Sequence, residues 1–134
     1  MQTLTFQKTH AYPAAAGIEI PISLHVGNGR PVRLLANVDT GASFCIFQRQ
    51  YAEQLGIVVE SGVRQSVGTA AGSFDAYGHG LKMSCLGWEF EATVYFAAPA
   101  GFSRNVVGRS GWLQHFRIAI IDHDSLLHLS QYNE

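Results

Sequence analysis

The chain has 134 residues, 47% of them hydrophobic and only 14% charged, with a formal net charge of −1. That length holds one domain with a real core and excludes two independent ones. A near-neutral balance without a basic run excludes nucleic acid as a main partner, since phosphate binding needs clustered Lys and Arg. So apolar a composition invites burial between subunits, although a Gly-rich β-protein shows it too.

Met1 to Lys8 lacks a charged segment followed by an apolar core and cleavage site, and no apolar stretch reaches the roughly 20 residues that span a bilayer. The expected address is cytoplasmic, with no membrane partner. Thr9 to Ala14 reads as a lead unlike a domain, which leaves open a subunit or excised domain of a longer protein as an alternative. Ile18 to Val26 then alternates apolar and polar, the period of a half-buried strand. Gly27-Asn28-Gly29 is a turn, and Pro31 to Val38 returns as the second arm of a hairpin. Phe47, Tyr51 and Leu55 recur at helical spacing, predicting a short helix closed by Gly56.

A long β-region follows over 58–98. Val63 to Thr69 is one strand, Ala70-Ala71-Gly72-Ser73 a small flexible tip, and Phe74 to Met83 the return arm. Trp88 to Phe96 alternates for nine residues as a further strand, which Pro99-Ala100-Gly101 breaks. Asn105-Val106-Val107-Gly108-Arg109 is a very short apolar strand ending at a glycine. Gly111 to Phe116 suits a brief helix, Phe116 to Asp122 a strand, and Ser125 to Leu129 one more. The expectation is a single all-β domain over 1–134, its core roughly 18–130, with two short helices.

Asp39-Thr40-Gly41, continuing as Ala42-Ser43, stands at the end of the apolar run Val32 to Val38. A carboxylate at the mouth of a buried strand, followed by a small polar residue and a glycine, suits one chemistry well. Two such carboxylates face to face cannot both ionise, so they share a proton and act on water as a general acid/base pair. The tripeptide occurs once. If that chemistry is present, a second copy of the chain must supply the partner aspartate.

The loop, the Asn105–Arg109 element about 66 residues later, and the small-tipped hairpin between them resemble the retropepsin-like (retroviral-type) aspartic protease family. The resemblance covers roughly 18–130 in the right order. It implies a closed, barrel-like single domain with a mobile flap hairpin, and a homodimeric endopeptidase acting on peptide or protein substrates without metal or organic cofactor. Asp39 would pair with the partner's Asp39 and activate water without a covalent intermediate. Thr40 would bond across the two-fold axis to the partner loop, and Gly41 would let substrate backbone approach. Ala42, Ser43, Val106 and, at the rim, Arg104 would contact substrate, while Ala70, Ala71, Gly72 and Ser73 would close over it. Val107 and Gly108 would support the floor of the loop.

Two positions depart from the family pattern. Ala42 lacks the hydroxyl that Ser or Thr would offer the carboxylate, so optimum activity is expected at mildly acidic to near-neutral pH. Ser43-Phe44-Cys45 stands where viral members carry an acid that pairs with the second element's arginine, so Arg109 must find another partner or a different job, and subunit docking can differ from the viral pattern; a partly buried ion pair is expected over substrate contact. The tail from Leu126 to Glu134 is a candidate for the termini-built dimer sheet of the viral enzymes.

Structural readings stand beside the functional ones. Asp39 could merely cap the following helix. The six histidines show no tight ligand spacing, and Cys45 between Phe44 and Ile46 reads as a small packed hydrophobe. Cys45 and Cys85 suit a reducing compartment, though spacing does not exclude a bridge. Gly27-x-Gly29 lacks the helix and Lys of a phosphate loop. The alternative function is a dimer that binds peptides as a scaffold without turnover.

Overall fold

Alternation along the chain becomes a sheet that closes on itself. The computed structural model describes residues 1–134. It contains ten strands and one α-helix: β1 (Lys8–Ala11), β2 (Glu19–His25), β3 (Val32–Val38), β4 (Ile46–Phe47), α1 (Arg49–Gln54), β5 (Val63–Thr69), β6 (Gly72–Cys85), β7 (Trp88–Ala97), β8 (Val106–Val107), β9 (Phe116–Ile121) and β10 (Leu126–Gln131). The protein is all-β, as expected.

Seven strands form one sheet in the order β2-β3-β8-β4-β7-β6-β5. β2 also pairs with β6, setting Ser23 opposite Ser84 and His25 opposite Lys82, which joins the first strand to the sixth and closes the ring. The period-2 pattern puts Ile20, Ile22 and Leu24 of β2 inside, against Met83, Val94 and Phe96, all at or near zero exposure. Each fully buried aliphatic or aromatic side chain contributes about 1.5–3 kcal/mol relative to exposure, so this inner face holds the ring together. β5 and β6 continue as a hairpin paired all the way from Val63–Gly78 to Thr69–Gly72.

The other sheet, β1-β10-β9, corrects two expectations. Thr9 to Ala14 is no loose lead: Lys8–Ala11 pairs with Leu126–Leu129, and buried Tyr12 donates its hydroxyl to Asp122 at 2.7 Å. The Leu126–Gln131 tail is the central strand, with β1 and β9 of its own chain on either side, so it presents no free edge for a partner. The edges belong to β1 and β9.

Two helix boundaries also shift. Phe47 lies in β4 and not in the helix, because Ile46 and Phe47 pair with Tyr95 and Phe96 of β7 and Phe47 is wholly buried. The second short helix shrinks to a 3-10 turn over Leu113–His115. No helix is long and apolar enough to cross a membrane.

Candidate active site

The Asp39 loop hangs between β3 and β4 and is fastened to β8. β3 and β8 run parallel, Asn37 beside Val106 and Val38 beside Val107. The Asp39 amide donates to the Val107 carbonyl at 3.0 Å, and the Asn37 amide to the Asn105 carbonyl at 2.9 Å. Within the loop, the Ala42 amide returns to the Asp39 carbonyl at 3.1 Å, and the Gly41 amide donates to Asp39 Oδ1 at 3.0 Å. The exposed carboxylate is thus aimed by a backbone donor two residues on, as Asp side chains favour in turns.

The second element grips the far side of the same loop. The Arg109 amide donates to the Ala42 carbonyl at 2.9 Å and the Ser110 amide to the Ser43 carbonyl at 3.0 Å. So close an approach requires a residue without a side chain. A Cβ on Gly108 would stand 2.6 Å from the Phe44 oxygen and 2.7 Å from the Ala42 oxygen. Cys45 adds a stitch that the sequence did not announce: its buried Sγ accepts from the Gly108 amide at 3.5 Å and donates to the Ser110 carbonyl at 3.6 Å. Asn105 does likewise, its Oδ1 taking the Gln48 amide at 3.1 Å and its Nδ2 reaching the Leu35 carbonyl at 3.3 Å. A polar amide beside an apolar-apolar-Gly run was the available signal for it.

Beside Asp39 opens a cleft of about 360 Å³. It gathers Asp39, Ala42, Ser43, Arg104 and Val106, five of the residues singled out from the sequence. Its apolar wall, not foreseen, comes from Phe44 and Ile46 after the loop, Val67 and Phe74 of the hairpin, and Phe102. The Phe74 and Phe102 rings meet with centroids 5.0 Å apart, joining hairpin to loop. Asp39 is the only acid in the lining and Arg104 the only base. Two larger hollows, about 460 and 450 Å³, open around Gly27 and Lys82 and share no residue with it.

Several expected residues lie elsewhere. Ala70, Ala71, Gly72 and Ser73 are exposed at the hairpin tip and do not line the cleft; Ser66 to Thr69 and Phe74 do. Pairing that runs unbroken to Gly72 makes the arms the wall and carries the two-residue turn beyond it, closed by Thr69 Oγ1 donating to the Gly72 carbonyl at 2.8 Å. Thr40 and Gly41 are exposed on the loop beside the cleft. Arg109 is exposed and joins none of the chain's ion pairs, so the expected partly buried pair is not formed: there is no acid at 43–45, and it follows β8 in a turn at the surface.

Neither thiol forms a disulfide. Burial pushes both Cys45 and Cys85 up to about 11, which makes them poor nucleophiles. The histidines are dispersed: His10 bonds the Glu19 carbonyl, His79 the Val59 carbonyl, and His115 stacks on Phe90 at 4.1 Å. No group of three or more His, Cys, Asp or Glu is gathered to hold a metal ion.

The family model described as aspartyl protease matches residues 21–110, which contain the loop, the hairpin and the second element. Among solved structures, the fold is similar to that of a retropepsin-like aspartic protease from Rickettsia conorii. That pair has a TM-score of 0.68 at 21% identity, over 92% of this chain and 97% of that one. It is also similar to the EIAV protease solved with an inhibitor, with a TM-score of 0.50 at 15% identity, over 81% and 88% of the two chains. No curated protein sequence matches. At such identities the structural likeness is one of fold.

Proposed function

This chain belongs to the aspartyl protease family, and from that premise we propose that it is a homodimeric endopeptidase whose two Asp39 carboxylates form the reactive pair. The observation that carries the reading is the position of Asp39: exposed, oriented by the Gly41 amide, and the sole acid on an open cleft. One carboxylate cannot serve at once as base and acid. Its absent counterpart is most simply the same residue of a second copy, related by a two-fold axis.

In that arrangement the pair holds one proton between two oxygens, since like charges so close cannot both ionise. The charged carboxylate takes a proton from water as the oxygen attacks the scissile carbonyl carbon. The protonated one hydrogen-bonds the carbonyl oxygen as it becomes tetrahedral. Collapse breaks the C–N bond, and the proton gained from water goes to the departing nitrogen. The products are a carboxylic acid and an amine, and no bond to the enzyme forms.

Thr40, exposed beside Asp39, would bond to the partner loop and set the distance between carboxylates. The clamp of Gly108, Cys45 and Arg109 amide on the loop keeps its backbone fixed, which is what a reaction sensitive to about 1 Å of misplacement requires. The Ser66–Thr69 arm and Phe74 wall the cleft and would exclude water around an extended peptide.

Cleavage of an unbiased peptide mixture from about pH 3 to about pH 8, with Asp39→Asn in parallel, tests this. Cuts that require Asp39 support the endopeptidase. Peptides bound but never cut, by material shown to be dimeric, would instead assign the chain to peptide binding.

A further inference from the structure

The cleft beside Asp39 is charged at one other place only. Arg104 lines it, is exposed, and joins none of the chain's ion pairs. The acid on the adjoining hairpin, Asp75, is already engaged by Arg64 at 3.9 Å. The rest of the lining is uncharged: Phe44, Phe74, Phe102 and Val106 give it an apolar, aromatic side, and Ser43, Ser66 and Thr69 a polar one. A guanidinium held over such a surface, with no carboxylate of its own, is a site for a carboxylate that arrives with the ligand.

Arg104 precedes Val107, the residue bonded to the Asp39 amide, by three residues, at most about 10 Å of extended chain. With the inter-strand step of about 5 Å from Val107 to Asp39 added, a peptide lying in the cleft they both line, its scissile bond at Asp39, passes Arg104 within about five of its own residues. In a two-fold dimer a second Arg104 meets the peptide on the other side of the bond. We propose that Arg104 is a specificity-determining residue selecting extended peptides with an acidic side chain flanking a large apolar one, on either side of the scissile bond. This rests on the endopeptidase reading above, and its test separates the two.

Matched peptides would share one apolar pair at the scissile bond and differ only in the flanking residues: Glu, Gln or Lys. The Glu series is expected to exceed the Lys series in kcat/KM by about fivefold or more at low salt. The ratio should approach one near 0.5 M salt, where exposed charges are screened over a few ångströms. Arg104→Gln should bring the Glu/Lys ratio close to one, and Arg104→Glu should reverse it, each variant first shown folded by circular dichroism. Equal cleavage of the Glu and Lys series by the native chain, or an unchanged ratio in Arg104→Glu, overturns the proposal. If no peptide is cut, the endopeptidase reading fails, and the same peptides bearing a fluorophore are titrated by anisotropy. Tighter binding of the Glu series that reverses in Arg104→Glu then still supports the charge selection. Equal binding, or none, overturns it.

Discussion

The Asp39 amide and the Val107 carbonyl meet at 3.0 Å, so the loop carrying the Asp39 carboxylate begins on a hydrogen bond to the second motif. Two segments 68 positions apart in sequence are thereby one backbone unit. At Gly108, next in the chain, the approach leaves no room for a side chain.

Gly108→Ala is therefore expected to be severe. Its Cβ would press on two backbone oxygens, of Phe44 and Ala42, that cannot swing aside as a side-chain tip can. Overpacking of this kind costs about 1–3 kcal/mol, and here it also displaces the loop. Denaturant unfolding should show that loss, and peptide cleavage should fall by about tenfold or more. Gly101→Ala is the control: nothing stands within 4 Å of that Cβ, and its stability should change by a few tenths of a kcal/mol.

The pH–rate profile should respond at Ala42. That residue is half-buried in the lining beside Asp39 and has no hydroxyl to offer. Ala42→Ser adds a donor that favours the charged carboxylate, so the acid limb should move to lower pH by about one unit or less. An acid limb that stays in place while activity falls would mean that the serine hydroxyl bonds elsewhere.

Much of the ring was legible because it is built from local alternation. Glu19–His25 shows its strand directly, and the loop and second motif announce themselves as residues of fixed type in fixed order. What escaped depends on partners distant in sequence. Lys8–Ala11 has no strand-like pattern of its own and becomes β1 only against residues near 126–129. Phe47 looks like the start of a helix until β7 claims it. The cleft wall from Phe44, Phe74 and Phe102 joins three segments that no periodicity links. Arg109 escaped for another reason: the family's partner acid is visibly missing from the sequence, and which other acid, if any, the fold brings near is a long-range question that ends here with none in reach.

Acid stability should be limited at the Phe90–His115 stack. Burial pulls His115 below its ordinary value near 6.5, so the fold favours the neutral ring. Because the folded-state value is the lower one, the unfolded chain takes the proton first. Stability is full above about pH 6.5 and declines as pH falls from there toward the folded value, below which the loss is complete. Thermal unfolding across that window should show the decline, and His115→Gln should flatten it.

A second acid-sensitive tie lies at Glu60. Arg49 donates to both Glu60 oxygens, at 2.5 and 2.7 Å, and to the Ala98 carbonyl at 3.1 Å, binding α1 to the end of β7. That guanidinium holds the Glu60 carboxyl below its ordinary value of 4.5. The sign is opposite in origin but similar in effect: the contribution is present above about pH 4.5 and is lost as pH falls through the lower folded value. Glu60→Gln should remove this component of the acid unfolding curve and leave the one near pH 6.5 untouched. The pair is solvent-exposed, so the effect at neutral pH should be small.

Cys45 permits the sharpest separation of packing from hydrogen bonding. Its side chain is wholly buried, yet Sγ carries one bond from Gly108 and one to Ser110. Cys45→Val fills a similar volume but leaves the Gly108 amide without its acceptor, a penalty of about 1–3 kcal/mol for a buried donor. Activity should fall along with stability, because that amide belongs to the clamp on the Asp39 loop. The thiol itself should be inert in the folded chain: pushed up to about 11 and buried, it stays protonated near pH 8 and out of reach. Labelling with a thiol reagent at that pH should therefore track unfolding, with Cys45 and Cys85 modified only as the core opens. Rapid modification of Cys45 under native conditions would show that the clamp opens on its own, and would shift the explanation of loop rigidity to the backbone bonds alone.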